Sequence, residues 1–245
     1  MLHFFRLIRK KLLEEDNVRK YFFYALGEIF LVVIGILIAL NINNWNEEQN
    51  KVQEEVVILK SIKEEFQENL STLEVSIERA ERRRGNCLSI LNYTTQEKPV
   101  ISKAKSDSLI FGGLTTHVTV ELSDAYLQDL LSTGKIHYIQ NNQLKKLLIK
   151  WEKDVIEIRE DEARIFEERS RIIKPFLLEH YSYAGDLEEE KYGFKSRFNN
   201  NHERIYGIKQ LEDLALDKVQ QYESIHNGYL ELQKVIKEII RLASF

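Results

Sequence analysis

One cysteine, one methionine, two prolines and ten glycines stand among 245 residues, and each scarcity removes a class of protein. A single thiol, Cys87, excludes an internal disulfide, so the fold must hold without covalent staples. In an oxidising compartment such a thiol has to be buried or paired between chains. Its place on an apolar stripe, described below, favours burial. With only Pro99 and Pro175, and 30% charged residues, the composition points to long helices rather than sheets. The net charge of −4, and the lack of basic strands studded with aromatics, argue against nucleic acid as a partner.

Chemical motifs are equally scarce. There is no HExxH and no G-x-S-x-G. LSTGKI at 131–136 has a Gly-Lys pair without the upstream glycine or the following Ser/Thr of a phosphate-cradling loop, so Gly134 reads as a helix stop. Glu223 and His226 have the Glu-x-x-His spacing of di-iron carboxylate bundles, but no second such pair completes a site. No enzyme activity, metal or cofactor is expected. Arg82-Arg83-Arg84 reads as a solvated helix face helped by Glu78, with a grip on an anionic glycan or lipid headgroup as the alternative. The runs 160–162 and 188–190, both acidic, read as solvated faces as well.

What the chain does have is one long apolar run. From Tyr21 to Ile42 the only charged residue is Glu28, and Ile29–Leu40 is apolar throughout. At 1.5 Å per residue this covers roughly 33 Å, the thickness of a hydrocarbon core. Tyr21–Tyr24 and Trp45 bracket it with rings suited to the headgroup level. A cleaved signal peptide is disfavoured because Leu40–Asn43 offers no pair of small residues for cleavage. The segment 21–45 is therefore expected to be a transmembrane helix in contact with the lipid bilayer. Arg6, Arg9, Lys10, Lys11, Arg19 and Lys20 precede it, whereas Glu47, Glu48, Glu54 and Glu55 outnumber Lys51 and Lys60 after it. That asymmetry predicts a cytoplasmic N-terminus and an external C-terminal region. Residues 1–20 read as a basic amphipathic leader on the inner leaflet, with Arg6, Arg9, Lys10, Lys11, Lys20, Tyr21 and Trp45 as interface anchors. Such a leader is expected to be too short for a cytoplasmic output domain.

Glu28 is the exception within this run. On a helical wheel Gly35 and Ala39 lie about 20° to either side of it, and Tyr24 shares the stripe. Gly35-xxx-Ala39 is a small-xxx-small spacing that admits a second helix. Tyr24, Glu28, Gly35 and Ala39 are thus the candidate helix–helix contact. Glu28 snorkelling to the interface is the competing reading, and a proton relay a third.

Beyond Asn46 a heptad pattern runs through Val52, Val56, Leu59, Lys63, Phe66, Leu70, Leu73, Ile77, Ala80, Arg84, Cys87 and Leu91. It predicts a helix over about 47–94. Residues 103–111 read as a short helix, 117–122 as briefly strand-like, and 123–133 as a helix capped by Ser123. A second long helix is expected over about 142–183. Its stripe is Leu144, Leu148, Trp151, Val155, Ile158, Glu162, Ile165, Arg169, Ile172 and Phe176, with Pro175 kinking or dividing it. A connecting excursion occupies 184–208, and a third long helix 209–243 buries Leu211, Ala215, Tyr222, Ile225, Tyr229, Leu232, Ile236 and Ile239. The expected fold is all-α: one N-terminal transmembrane helix (21–45), then an elongated antiparallel bundle of three long coiled-coil-like helices over 46–245. In it, helix one leads out, helix two returns, helix three goes out again, and the short helices sit at an end.

FFRLIRKKLLEEDNVRKYFFYALGEIFLVVIGILIALNINNWNEE resembles the opening of an uncharacterised family of single-pass membrane proteins of Bacteroidota. The residues that carry the likeness are Gly27, Glu28, Ile29, Val33–Leu40 and Asn43–Asn46, with a looser echo at 127–148. The resemblance implies an inner-membrane envelope protein of a Gram-negative bacterium and supplies no activity. The expected role is an inner-membrane scaffold or adaptor projecting into the periplasm, associating with itself or with other envelope membrane proteins. A periplasmic ligand-sensing domain that signals through its membrane helix is the alternative.

Overall fold

The computed structural model describes residues 18–181, 191–193 and 202–244, those at 18–21 and 24 by their backbone alone. The described residues are mostly helical and include no strand. In chain order the long elements are α1 (Val18–Thr94), α4 (Asn142–Glu168) and α6 (Lys209–Leu242). Between them lie α2 (Lys103–Ile110), α3 (Ala125–Ser132) and α5 (Lys174–His180), with shorter 3₁₀ and π turns. The chain divides into one unit ending at Val57 and another beginning at Ile58.

The first unit holds the apolar part of α1. Its 18-residue window of highest mean hydropathy, 2.5, has none of its residues buried. Every residue from Ile29 to Ile42 is exposed, and Trp45 is 66% exposed. This is the one helix among the described residues long and apolar enough to cross a membrane. No break separates it from the next heptads, because neither Pro nor Gly falls between Asn41 and Arg84.

In the second unit the core is drawn from α1, α4, α6 and the segments linking them. On α1 three adjacent heptad rows are buried or half-buried. One is Leu59, Phe66, Leu73, Ala80 and Cys87, as the spacing predicts. A second, Lys63, Leu70, Ile77, Arg84 and Leu91, is half-buried, also as the spacing predicts, with Leu70, Ile77 and Leu91 packed against the core. The third, Ile62, Asn69, Ser76, Arg83 and Ile90, was not expected and flanks the first on its other side. This inner row carries polar residues, Asn69, Ser76 and Arg83, which a pattern of apolar residues does not mark. Val52 and Val56, both 44% exposed, lie outside the core.

On α4 every expected position from Leu144 to Ile165 is buried, Glu162 included. The register then slips: Ile172 is exposed and Ile173 buried. A π turn at Arg169–Ile173 causes the slip, its wider loop adding one residue to the turn. It ends two residues before Pro175, which has no N–H to donate and whose ring would clash with the carbonyl four residues back in a regular helix. Pro175 thus divides the long helix, α5 ending at His180.

Helix directions correct the expected up-down-up path. Gln143 Nε2 donates to Glu238 at 2.9 Å and Lys218 Nζ to Glu168 at 2.9 Å, so α4 and α6 are antiparallel. Gln233 Nε2 donates to Glu74 at 3.1 Å, while Tyr222 and Cys87 meet Gly113 from either side, so α1 and α6 are antiparallel too. Hence α1 and α4 run parallel, with Phe66 edge-on to Trp151 at 4.8 Å. The return leg is made by residues 95–141 instead of a long helix. Gly113 packs on Cys87, where a Cβ would stand 3.0 Å from Sγ, and further along Ser123 meets Asn69. Of the short helices, α3 lines the side of α1 at Glu65, whereas Ser106 of α2 joins Tyr181, after α5, to Tyr206, whose ring packs on Tyr93 in the last turn of α1. Residues 117–122 are extended, with Val118, Val120 and Leu122 buried, but no neighbouring strand pairs with them. Helical side chains take over that role: Asn69 bonds both the N–H and the carbonyl of Ser123, at 2.8 and 2.7 Å.

The N-terminus of α3 is capped from a distance. Glu65 of α1 accepts from the Tyr126 and Leu127 N–H groups at 3.1 and 3.3 Å, and from the Ser123 hydroxyl at 2.8 Å. A carboxylate there satisfies orphan donors and opposes the helix dipole. Gly134 ends this region with φ of +71°, as its helix-stop reading requires.

Candidate functional site

Two regions hold the residues that sequence reasoning picked out. In the apolar part of α1, Glu28 is half-exposed and lines a shallow groove with Ala25, Ile29, Val32 and Val33, all from its own helix. Nothing lies within 4 Å of a Cβ added at Gly35, and Ala39 is exposed. This face is thus open to an approaching helix. The side chains of Tyr24, Tyr21 and Lys20 lie outside the described atoms, as do Arg6, Arg9, Lys10 and Lys11 entirely.

The second region is a set of polar side chains at inner positions of the helical unit, most of which the sequence reading treated as surface. Glu162, which belongs both to the inner stripe of α4 and to an acidic run expected to be solvated, is 5% exposed. It sits on the α4 stripe, where the heptad spacing leaves it no route outward. Its Oε1 accepts from the Val120 N–H at 3.0 Å and from the Tyr229 hydroxyl. Burial raises its proton affinity above the ordinary carboxylate range, while those two donors pull the other way.

Lys218 is fully buried on α6. Its Nζ donates to Glu168 at 2.9 Å and to Gln221 at 2.7 Å, and Gln221 in turn donates to Glu168. Beside them Asp217 is raised, first by burial and then by the Glu168 charge. Lys218 went unnoticed in the sequence because it is charged. The spacing called for it nonetheless, since Ala215, Lys218 and Tyr222 continue the three-four alternation.

Tyr222 lies between these groups. Its hydroxyl is within 2.9 Å of the Gly113 carbonyl and 2.8 Å of the Thr116 carbonyl. Next to Thr116, His117 stands edge-on to Phe166 of α4 at 5.2 Å. Burial, then Arg169 and Arg83, lowers its proton affinity. Arg83 is half-buried on the inner row of α1. Its Nε is buried with no hydrogen-bond partner, and burial is the main influence lowering its proton affinity. Cys87, one turn on, is buried as expected, and burial pushes its thiol up to about 12, which makes it a packing group rather than a nucleophile. Among the described residues no three metal-ligating side chains converge.

Residues 28–93 are similar to a family of unknown function, DUF6090, a match over roughly a quarter of the chain. No curated protein and no solved structure matches. The similarity begins at Glu28 and ends at Tyr93, so it covers most of α1 and stops where the return leg begins.

Proposed function

We propose that this chain is a single-pass inner-membrane protein of a Gram-negative bacterium whose helical unit is a non-enzymatic scaffold in the periplasm. The observation that carries the reading is the uncovered stretch from Ile29 to Ile42. Each large aliphatic side chain there would forfeit about 1.5–3 kcal/mol if left in water, and no part of the described protein shields it. Lipid supplies the missing cover. The basic excess before the stretch and the acidic excess after it support a cytoplasmic N-terminus.

Glu28, Gly35 and Ala39 form the face through which the anchor meets a second copy or another envelope membrane protein. Two small residues let backbones approach, and a carboxyl facing protein avoids the cost of facing lipid. The likeness of residues 28–93 to one family supports treating the anchor and the first core helix as one functional piece. Two measurements test the reading. A periplasm-active reporter fused after Phe245 should be active, and cytoplasmic activity instead would overturn the sidedness. Crosslinking in bilayers should weaken in Glu28→Leu, and unchanged crosslinking would leave Glu28 as a snorkelling residue only.

A further inference from the structure

Residues 43–57 of α1 lie between the uncovered apolar stretch and the first core positions, Ile58 and Leu59, and none of them is buried. Their charges are nevertheless sorted to one side. On the helix wheel Glu47, Glu48, Lys51, Glu54 and Glu55 share one arc of about 120°. Lys51 donates to Glu48 at 2.8 Å inside that arc, and Asn43 to Glu47 at 2.8 Å at its edge. On the opposite side Ile42, Asn46, Gln49, Gln53 and Val56 lie within about 40° of one line and carry no charge. A helix bathed in water all round gains nothing from such sorting. It is the pattern of a helix whose neutral side is covered.

The neutral line continues the face that carries Glu28 in the anchor. Glu28, Gly35, Ile42, Gln49 and Val56 follow one another at seven-residue steps, and Leu31, Ile38, Trp45 and Val52 form the alternate row. That alternate row runs on into Leu59, Phe66 and Leu73, which the chain buries itself. One heptad register therefore spans α1. Its own chain fills the register from Leu59 onward, while Trp45, Val52 and Val56 stay exposed.

A second copy of the chain suits the open part. Every copy enters the bilayer basic end first, so two such helices emerge parallel, and Trp45 at the interface sets both at one depth. Like rows then meet without a search for register. In that pairing Glu48 beside the seam faces Gln53 of the second copy, so the acidic flanks are not forced together. Gln49 meets Gln49, an amide pair that donates and accepts at once, and a lone polar pair in a seam fixes its register.

We propose that residues 42–56 form a parallel coiled coil with a second copy of this chain, carrying the contact at Glu28 and Gly35 out of the bilayer into water. It rests on the single-pass reading and names the anchor's partner as the chain itself.

The test is disulfide trapping of the full chain in membrane vesicles from the expressing bacterium, under mild oxidation and read on non-reducing gels. Wild type, whose one thiol Cys87 is buried, is the blank. Gln49→Cys and Val52→Cys should give about tenfold more linked dimer than Lys51→Cys and Glu54→Cys on the charged side. Gln49→Lys added to Val52→Cys should cut its dimer several-fold, because like charges meet across the seam, whereas Lys51→Glu should leave it unchanged. Gly35→Cys reports the bilayer face separately. Dimer at Gly35→Cys with none at Gln49→Cys or Val52→Cys would confine the contact to the bilayer, overturning the coiled coil and leaving the anchor reading intact. Equal trapping at the neutral and charged positions would be collision and overturns it, as does a link from Val52→Cys to a different protein. Release of the chain from vesicles by alkaline carbonate would sink the single-pass reading itself.

Discussion

Residues 29–42 and 58–90 belong to one α-helix and are both rich in large aliphatic side chains, yet their surroundings are opposite. In the first stretch apolar residues occupy every side of the helix and all of them are exposed. In the second most of them fall on one side of the helix, which holds fully buried Ile62, Phe66, Leu73 and Ile90, and only Val75 and Leu88 are exposed. Periodicity, not hydrophobicity, separates the two. A helix apolar on one stripe finds its cover in its own chain, whereas a helix apolar all round exceeds what neighbouring helices can cover. Polar residues sharpen the contrast. Between Ile29 and Leu40 there are none, while the inner rows of the second unit accept Asn69, Ser76, Arg83, Glu162 and Lys218.

The widest gap between the two stretches should appear in paired truncations. Phe66→Ala removes a ring packed edge-on against Trp151 and should cost about 3–5 kcal/mol of unfolding free energy. Leu37→Ala, on the exposed stretch, should leave the unfolding of the helical unit unchanged within about 0.5 kcal/mol. Denaturant melts followed by far-ultraviolet circular dichroism in detergent measure both. Equal losses would mean that the two stretches melt together and that the contrast is one of exposure only.

A comparable loss should follow from breaking the buried ion pair. Lys218→Ala leaves Glu168 without its cation and should destabilise by about 3–5 kcal/mol. Lys218→Met combined with Glu168→Leu should recover most of that loss, because an apolar pair escapes the desolvation cost both charges bear. A double variant no better than the single one would show that Gln221 and Asp217 depend on the pair as well.

How much of this was legible follows from the same contrast. The exposed stretch declared itself because an unbroken apolar run needs no knowledge of partners. So did the apolar inner positions of α4 up to Ile165 and of α6, where each buried site carries the residue type its spacing demands. The third α1 row was missed because Asn69 and Arg83 look like surface, and only their tertiary setting shows otherwise. Lys218 was hidden for the same reason, although the three-four spacing pointed at it, and Glu162 was drawn both ways, to the inner stripe by its spacing and to the surface by its acidic neighbours. The slip after Arg169 was foreshadowed by Pro175, but the sequence does not say whether a proline will kink, divide or widen a helix. The return leg was the largest surprise. Its extended backbone is satisfied by Asn69 and Glu162 side chains from distant helices, an arrangement that no local pattern encodes.

The subtlest difference should be visible in pH dependence, since Glu162 is a carboxyl held inside the helical unit. Its folded proton affinity is raised by burial above the ordinary carboxylate value of 4.5. A group raised on folding contributes stability that is fully present below the unfolded pKa and lost as pH rises through the folded one. Glu162→Gln keeps an acceptor for the Val120 N–H and the Tyr229 hydroxyl but cannot ionise. The variant and the wild type should therefore melt alike near pH 4, and the variant should gain progressively as pH is raised toward neutrality. Asp217 is raised in the same direction, but both proteins contain it, so it cancels in the difference. A gap that instead favours the wild type at neutral pH would mean that the two hydrogen bonds outweigh burial and that Glu162 is held as the anion.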